Sequence, residues 1–248
     1  MKQSKPKKHR MRKFLDKLFN KRIKRLIADA QCVIVAGDRG TGKSAFFCLA
    51  EELFDSVVSN YPMTFAHALS PRITPTGSVY FDKAQLYSLD LKGTCCLIDE
   101  ARTVYPARGY AKWTQDDEEF FNFLRKRKAS VWLATQAYDC LDLNVRRGAD
   151  YCIYLTPTMF RGLSRCEITK TTLAKVADRN TEIVGRGLKR GLRKVNWEVC
   201  ECLVTDKIFF YHKFYWGKYE TLYTHVTPPN AVSTLPMWAD LARKEDVA

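Results

Sequence analysis

The stretch Gly37-Asp38-Arg39-Gly40-Thr41-Gly42-Lys43-Ser44 constrains this chain more than any other. It fits G-x-x-x-x-G-K-[ST], a spacing in which backbone N–H groups converge on phosphate oxygens. Before it, Cys32-Val33-Ile34-Val35-Ala36 is a short apolar run of the kind that forms a buried parallel strand. After it, residues 45–54 contain no Gly or Pro and predict a helix. A strand, a glycine loop and a helix start in that order make an anion site, to which the helix dipole adds. Gly37, Gly40 and Gly42 allow the tight turn. Lys43 is placed to reach the β- and γ-phosphates, and the Ser44 hydroxyl to hold Mg²⁺. The nucleotide-binding set is Gly37, Asp38, Arg39, Gly40, Thr41, Gly42, Lys43, Ser44 and the adjoining Ala45, with ATP and Mg²⁺ as the expected cofactors.

A second stretch, Thr94-Cys95-Cys96-Leu97-Ile98-Asp99-Glu100, runs four apolar residues into two carboxylates. This is the Walker B pattern, a buried strand that delivers acids at its carboxyl end, where ligands of open α/β sheets bind. Asp99 is expected in the Mg²⁺ shell, and Glu100 to accept a hydrogen bond from the attacking water. A third run, Val131-Trp132-Leu133-Ala134-Thr135-Gln136, ends in a polar pair, and Gln136 is placed to contact the γ-phosphate or the lytic water. The catalytic set is thus Lys43, Glu100 and Gln136, and the metal set Ser44 and Asp99. Together these runs predict an α/β fold, a P-loop NTPase core with a mostly parallel sheet; the family resemblance set out below implies that this core is RecA-like.

The net charge of +14 is concentrated at one end. Residues 1–28 carry twelve Lys and Arg against one acid, Asp16, leaving only +3 for the rest. Residues 1–10 are polar and basic and are expected to lack structure. From Met11, apolar residues Phe14, Leu15, Leu18, Phe19, Ile23, Leu26 and Ile27 recur at helical spacing, with Lys and Arg on the other face. Such a basic amphipathic helix suits an anionic membrane surface, nucleic-acid phosphates, or plain packing on the domain. No run approaches the ~18 apolar residues that span a bilayer. The expectation is a soluble or peripheral cytoplasmic protein. The nine cysteines and four histidines form no zinc or redox spacing and read as small core residues.

Further along, residues 56–60 predict a second strand, 64–77 a loop, and Thr114 the N-cap of a helix with acids in its first turn and Arg125-Lys126-Arg127-Lys128 at its end. After Pro157 the texture changes: 158–194 is mixed and basic, 194–215 alternates and turns aromatic, and Gly217-Lys218 reads as a hairpin turn before 219–223. The chain therefore divides into a basic segment, 1–28, an ATPase core, 29–157, and a small β-rich C-terminal appendage with tail, 158–248.

The order of these motifs resembles the zonula occludens toxin-like family, which includes the assembly ATPases of filamentous phages and lies near the FtsK–HerA group of DNA-pumping ATPases. The resemblance rests on residues 37–44, Ser59-Asn60-Tyr61-Pro62, Ile98-Asp99-Glu100-Ala101-Arg102, Tyr105-Pro106-Ala107-Arg108, and the block from Leu124 to Gln136. It covers about residues 30–156. It implies ATP hydrolysis, assembly into a homo-oligomeric ring such as a hexamer, and work with other phage assembly proteins where single-stranded phage DNA leaves the host. The expected location is the host cytoplasm, peripheral on the inner face of the membrane, with a contact to anionic lipid through residues 11–27. Ring ATPases often complete the site with a neighbour's arginine; Arg102, Arg108, Arg146 and Arg147 are the candidates. Many filamentous-phage members carry a membrane span after the core, which this chain lacks, and the basic turn reads Arg-Lys-Arg-Lys where relatives often have an Arg-His pair. A cytosolic DNA-packaging or conjugation-type translocase, and a nucleotide-gated assembly scaffold with little turnover, are the alternatives.

Overall fold

The computed structural model describes residues 6–61, 63–69, 71–73, 79–81, 83–107, 113–177, 195–219 and 237. Pro62, Arg108, the glycine turns at 185–187 and 189–191, most of the tail, its helical stretch and residues 220–223 lie outside them.

Among the described residues there are ten strands and six helices. The N-terminal helix α1, Pro6–Ile27, starts five residues before the expected Met11. Proline is tolerated at a first helical position because its missing N–H would have no partner there. The order continues with β1 (Cys32–Gly37), α2 (Lys43–Phe47), α3 (Ala50–Leu53), β2 (Ser56–Ser59), β3 (His67–Ala68), β4 (Pro71–Ile73), β5 (Val79–Phe81) and α4 (Lys83–Tyr87). It ends with β6 (Thr94–Ile98), α5 (Gln115–Arg127), β7 (Ser130–Thr135), α6 (Leu143–Gly148), β8 (Tyr151–Pro157), β9 (Leu163–Ala177) and β10 (Val195–Tyr211).

Eight strands form one sheet in the order β10-β9-β8-β1-β7-β6-β2-β3, and β4 and β5 pair separately. The strands from β8 to β3 run parallel, while β9 and β10 extend the sheet as a long antiparallel hairpin. The fold is thus α/β with a mostly parallel sheet. One strand, β7, separates the glycine-loop strand β1 from the acid-bearing strand β6.

Alternation along each buried strand splits the core in two. On one face Val33, Val35, Cys95, Leu97, Trp132 and Ala134 pack with Ile23 and Ile27 of α1 and with Phe46 and Phe47 of α2. On the other, Ile34, Cys96, Ile98 and Leu133 pack with Leu86 of α4, Phe120 and Leu124 of α5, and Val145 of α6. Two-sided burial explains why these strands read as unbroken apolar runs.

The helix expected over 45–54 is divided. At Cys48 and Leu49 the backbone bonds close over three residues (Cys48 to Ala45 O, Leu49 to Phe46 O), so α2 tightens before α3 begins. All of Ala45, Phe46, Phe47, Cys48, Leu49 and Ala50 are fully buried. They have no solvent face because sheet, α1 and the segment after β10 enclose them. In that segment Lys213–Tyr215 is a 3₁₀ turn, the chain turns at Gly217 as expected (φ 96°, with Lys218 N–H donating to Tyr215 O at 3.0 Å), and Tyr219 bridges antiparallel to Met63. The expected loop 64–77 contains the short strands β3 and β4.

Helix α1 is divided by its surroundings. Asn20, Ile23 and Ile27 are fully buried, whereas Phe14 is 64% and Leu18 59% exposed. Asn20 anchors the helix to β10 by pairing with both backbone groups of Tyr211, at 3.1 and 3.0 Å. Helix α5 has the expected cap: the Thr114 hydroxyl accepts from Asp117 N–H, and the Asp117 carboxylate accepts from Thr114 N–H at 2.8 Å.

Candidate active site

Strand β1 ends at Gly37, where φ is 154° and a Cβ would lie 2.4 Å from Leu155 O of β8. Only glycine fits between the two strands. The loop then folds on itself, with the Thr41 hydroxyl donating to Asp38 O at 2.8 Å. It is braced from outside as well, since the Ser164 hydroxyl of β9 donates to Thr41 O at 2.7 Å. Gly42 caps α2 with φ 94°. Because α2 has only five residues, its dipole is small, and the loop's own N–H groups supply most of the pull on an anion. Lys43 Nζ donates to Gly37 O at 2.7 Å and Asp38 O at 2.9 Å, which draws the ammonium across the loop mouth. Burial lowers its pKa, while Asp99, Glu100 and Asp38 oppose that shift.

The acids stand opposite. Strand β6 is wholly buried and delivers Asp99 and Glu100 at its carboxyl end. The side chain of Asn60, at the end of β2, holds the turn: Asn60 Nδ2 donates to Asp99 O at 3.0 Å and Asp99 N–H donates to Asn60 Oδ1 at 2.7 Å. The amide thereby continues the β2–β6 ladder by one step beyond the strands, so the Asn of the Ser59-Asn60-Tyr61-Pro62 motif acts as backbone support for the acid. Glu100 takes a left-handed conformation, φ 48°, which costs a non-glycine residue about 1–2 kcal/mol and turns the carboxylate out of the strand line. Gln136, at the end of β7, donates from Nε2 to Glu100 Oε1 at 2.8 Å. Arg102 Nε lies 3.3 Å from Glu100 Oε2.

Burial pushes the Asp99 carboxyl up to about 6; Glu100 adds to the shift, while the Glu100 N–H and Lys43 counter it. A divalent cation fits here, because a dication beside Asp99 would restore its ionised form. Ser44 and Asp99 line the same cleft, and they are the residues that would hold Mg²⁺. Among the described residues no group of three or more His, Cys, Asp and Glu is placed to hold a metal by itself.

The structure therefore brings Lys43, Ser44, Asp99, Glu100 and Gln136 to one cleft of about 620 Å³. Besides Arg39 of the glycine loop and Tyr61 of the Ser59-Asn60-Tyr61-Pro62 motif, it brings residues that no motif announces. Tyr61, His212, Trp216 and Tyr219 line the cleft together with Arg39. The last three aromatic residues come from the segment after β10, and no spacing in the sequence ties them to the glycine loop. Of the four arginines considered for action in a neighbour's site, Arg102 faces its own Glu100, Arg146 stacks over the Tyr138 ring at 5.4 Å, and Arg147 is exposed on α6.

No protein-family model matches the sequence, and no curated protein matches it. Solved structures do show similarity. The N-terminal domain of zonular occludens toxin from Neisseria meningitidis is 18% identical over 57% of this chain and 84% of that one, with a TM-score of 0.45. The genome packaging NTPase B204 from Sulfolobus turreted icosahedral virus 2, in complex with ATP-gammaS, is 16% identical over 58% and 93%, with a TM-score of 0.40. The AAA domain of FIGL-1 in complex with ADP is 18% identical over 58% and 51%, with a TM-score of 0.36.

Proposed function

We propose that this chain is an ATPase that cleaves the γ-phosphate from ATP with Mg²⁺. The observation that carries this reading is the Gln136–Glu100 hydrogen bond of 2.8 Å, standing in the cleft that Lys43, Ser44 and Asp99 also line. The loop N–H groups and Lys43 bind the β- and γ-phosphates, and Lys43 exchanges its carbonyl partners for phosphate oxygens. Ser44 and Asp99 would hold Mg²⁺, which when bound would supply positive charge beside the phosphates. Glu100 accepts a hydrogen bond from water and orients it for in-line attack. Gln136 fixes the Glu100 carboxylate and senses the γ-phosphate.

In this reading residues 29–157 form the ATPase core, 1–28 a basic contact segment and 158–248 a β-rich extension. The motif order supports a phage (inovirus-like) morphogenesis motor, a homo-oligomeric ring that moves single-stranded DNA and takes one arginine from each neighbour. The exposed Phe14 and Leu18 beside exposed Lys17, Lys21, Arg22 and Arg25 support a peripheral contact of residues 11–27 with anionic lipid at the inner face of the host membrane. Among the described residues no helix is long and apolar enough to cross a membrane. Anionic liposomes should carry the protein into the pellet; protein left wholly in the supernatant would overturn the lipid contact.

One observation favours a second reading, a nucleotide-gated scaffold with little turnover. Glu100 Oε1 already accepts from Gln136, and Oε2, which accepts no hydrogen bond, lies 3.3 Å from the Arg102 guanidinium, so a lytic water has one oxygen open to it and shares that oxygen with the Arg102 charge. Steady-state ATP hydrolysis with and without single-stranded DNA separates the two. Turnover that rises with DNA and vanishes in Lys43→Ala supports the motor. ATP binding with no turnover, whatever DNA is added, overturns it in favour of the scaffold.

A further inference from the structure

The cleft has two ends of different chemistry. Lys43, Asp99, Glu100 and Gln136 occupy one end, where a γ-phosphate belongs. Next to Lys43 comes Gly42, and the His212 ring lies directly on it: a Cβ on Gly42 would sit 3.0 Å from His212 Cγ. His212 in turn holds Trp216, whose Nε1–H donates to His212 Nδ1 at 3.2 Å. A nucleotide whose terminal phosphate faces the acids must therefore lead its sugar and base away over Gly42, toward His212 and Trp216.

We propose that His212 and Trp216 form the nucleobase wall of this site and that Trp216 stacks on the purine of a nucleoside triphosphate. The inference rests on the nucleotide-binding reading above. Trp216 is 40% exposed, which leaves it area for a base. Arg161 and Lys213 lie 5.4 and 5.8 Å from its ring centroid, so cations steady the indole. Its bond to Nδ1 fixes His212 as the neutral tautomer with the proton on Nε2, a donor for ribose or phosphate oxygen. Burial lowers the His212 pKa, consistent with that form.

The wall stands on rigid supports. His212 N–H donates to Gly162 O at 3.0 Å, which pins it to the turn between β8 and β9. Tyr215 is fully buried and its hydroxyl donates to Asp16 Oδ1 at 2.7 Å. The other aromatic pair in the cleft, Tyr61 and Tyr219, is less suited. Its rings pack on each other at 6.3 Å, and Tyr61 is only 8% exposed beside the acid-supporting Asn60.

Equilibrium binding of two probes tests the proposal on the full-length protein: ATP, and inorganic tripolyphosphate, which has the phosphates without the base. Trp216→Ala should weaken ATP about tenfold, as expected for loss of one base stack, and leave tripolyphosphate unchanged. Trp216→Phe should bind ATP nearly as wild type does. ATP, but not tripolyphosphate, should also quench a tryptophan emission that Trp216→Phe lacks. Equal weakening of both probes, or of neither, would overturn the base wall and leave the phosphate site standing. A wild-type protein that binds neither probe would overturn the phosphate site, and the base wall with it.

Discussion

The two ends of the cleft are made from different parts of the chain and by different rules. The phosphate end uses the β1–α2 loop, the end of β6 and the end of β7, three neighbouring strands whose carboxyl ends meet. Its chemistry needs backbone N–H groups at fixed spacing, a buried acid and a lysine of set reach. The aromatic end uses residues 212–219, which follow the outermost strand β10 and cross back to the glycine loop. It needs only a flat apolar face in reach of the base.

Substitutions should separate the ends. Lys43→Ala should have the largest effect on binding, cutting affinity for both ATP and tripolyphosphate by about 100-fold or more, because charge-assisted contacts to phosphate are the strong ones. Equal loss of both probes marks the phosphate end, in contrast to the selective loss expected at Trp216. Asn60→Ala should come next. It strips partners from the Asp99 N–H and C=O, a cost of about 1–3 kcal/mol in thermal or denaturant unfolding. Turnover should fall about tenfold as the acids lose their register, with tripolyphosphate affinity barely changed. Ser164→Ala should have the smallest effect, about 1 kcal/mol of stability and a few-fold weaker tripolyphosphate binding, since it removes one outside brace from the loop. If Ser164→Ala matched Lys43→Ala, the loop would depend on β9 more than on its own bonds.

The same contrast governs what the sequence reveals. Residues 37–44 and 94–100 are legible because phosphate geometry and two-sided burial each impose a pattern. The capped start of α5 at Thr114 is legible because its charges and cap are local. Strand β9 is not: Cys166 and Ile168 are buried, but so are Ser164 and Thr169, and Arg165, Glu167 and Lys170 sit among them. Its place comes from pairing with β8 and β10, a non-local cause. The break between α2 and α3 is hidden for a related reason, since no Gly or Pro marks it and only enclosure on all sides tightens the turn. His212 and Trp216 leave no trace, because nothing in their spacing connects them to Gly42. Asn60 was legible only as part of a motif; its work of pairing with the Asp99 backbone needed the structure.

In the proposed mechanism Glu100 activates water, while the rest of the site suffices to bind ATP. The direct measurement is single-turnover ATP hydrolysis by Glu100→Gln beside wild type, with ATP affinity measured for both. The predicted result is affinity within a few-fold of wild type and a hydrolysis rate lower by about 100-fold or more. A Glu100→Gln protein that hydrolyses ATP at the wild-type rate would rule out Glu100 as the group that activates water.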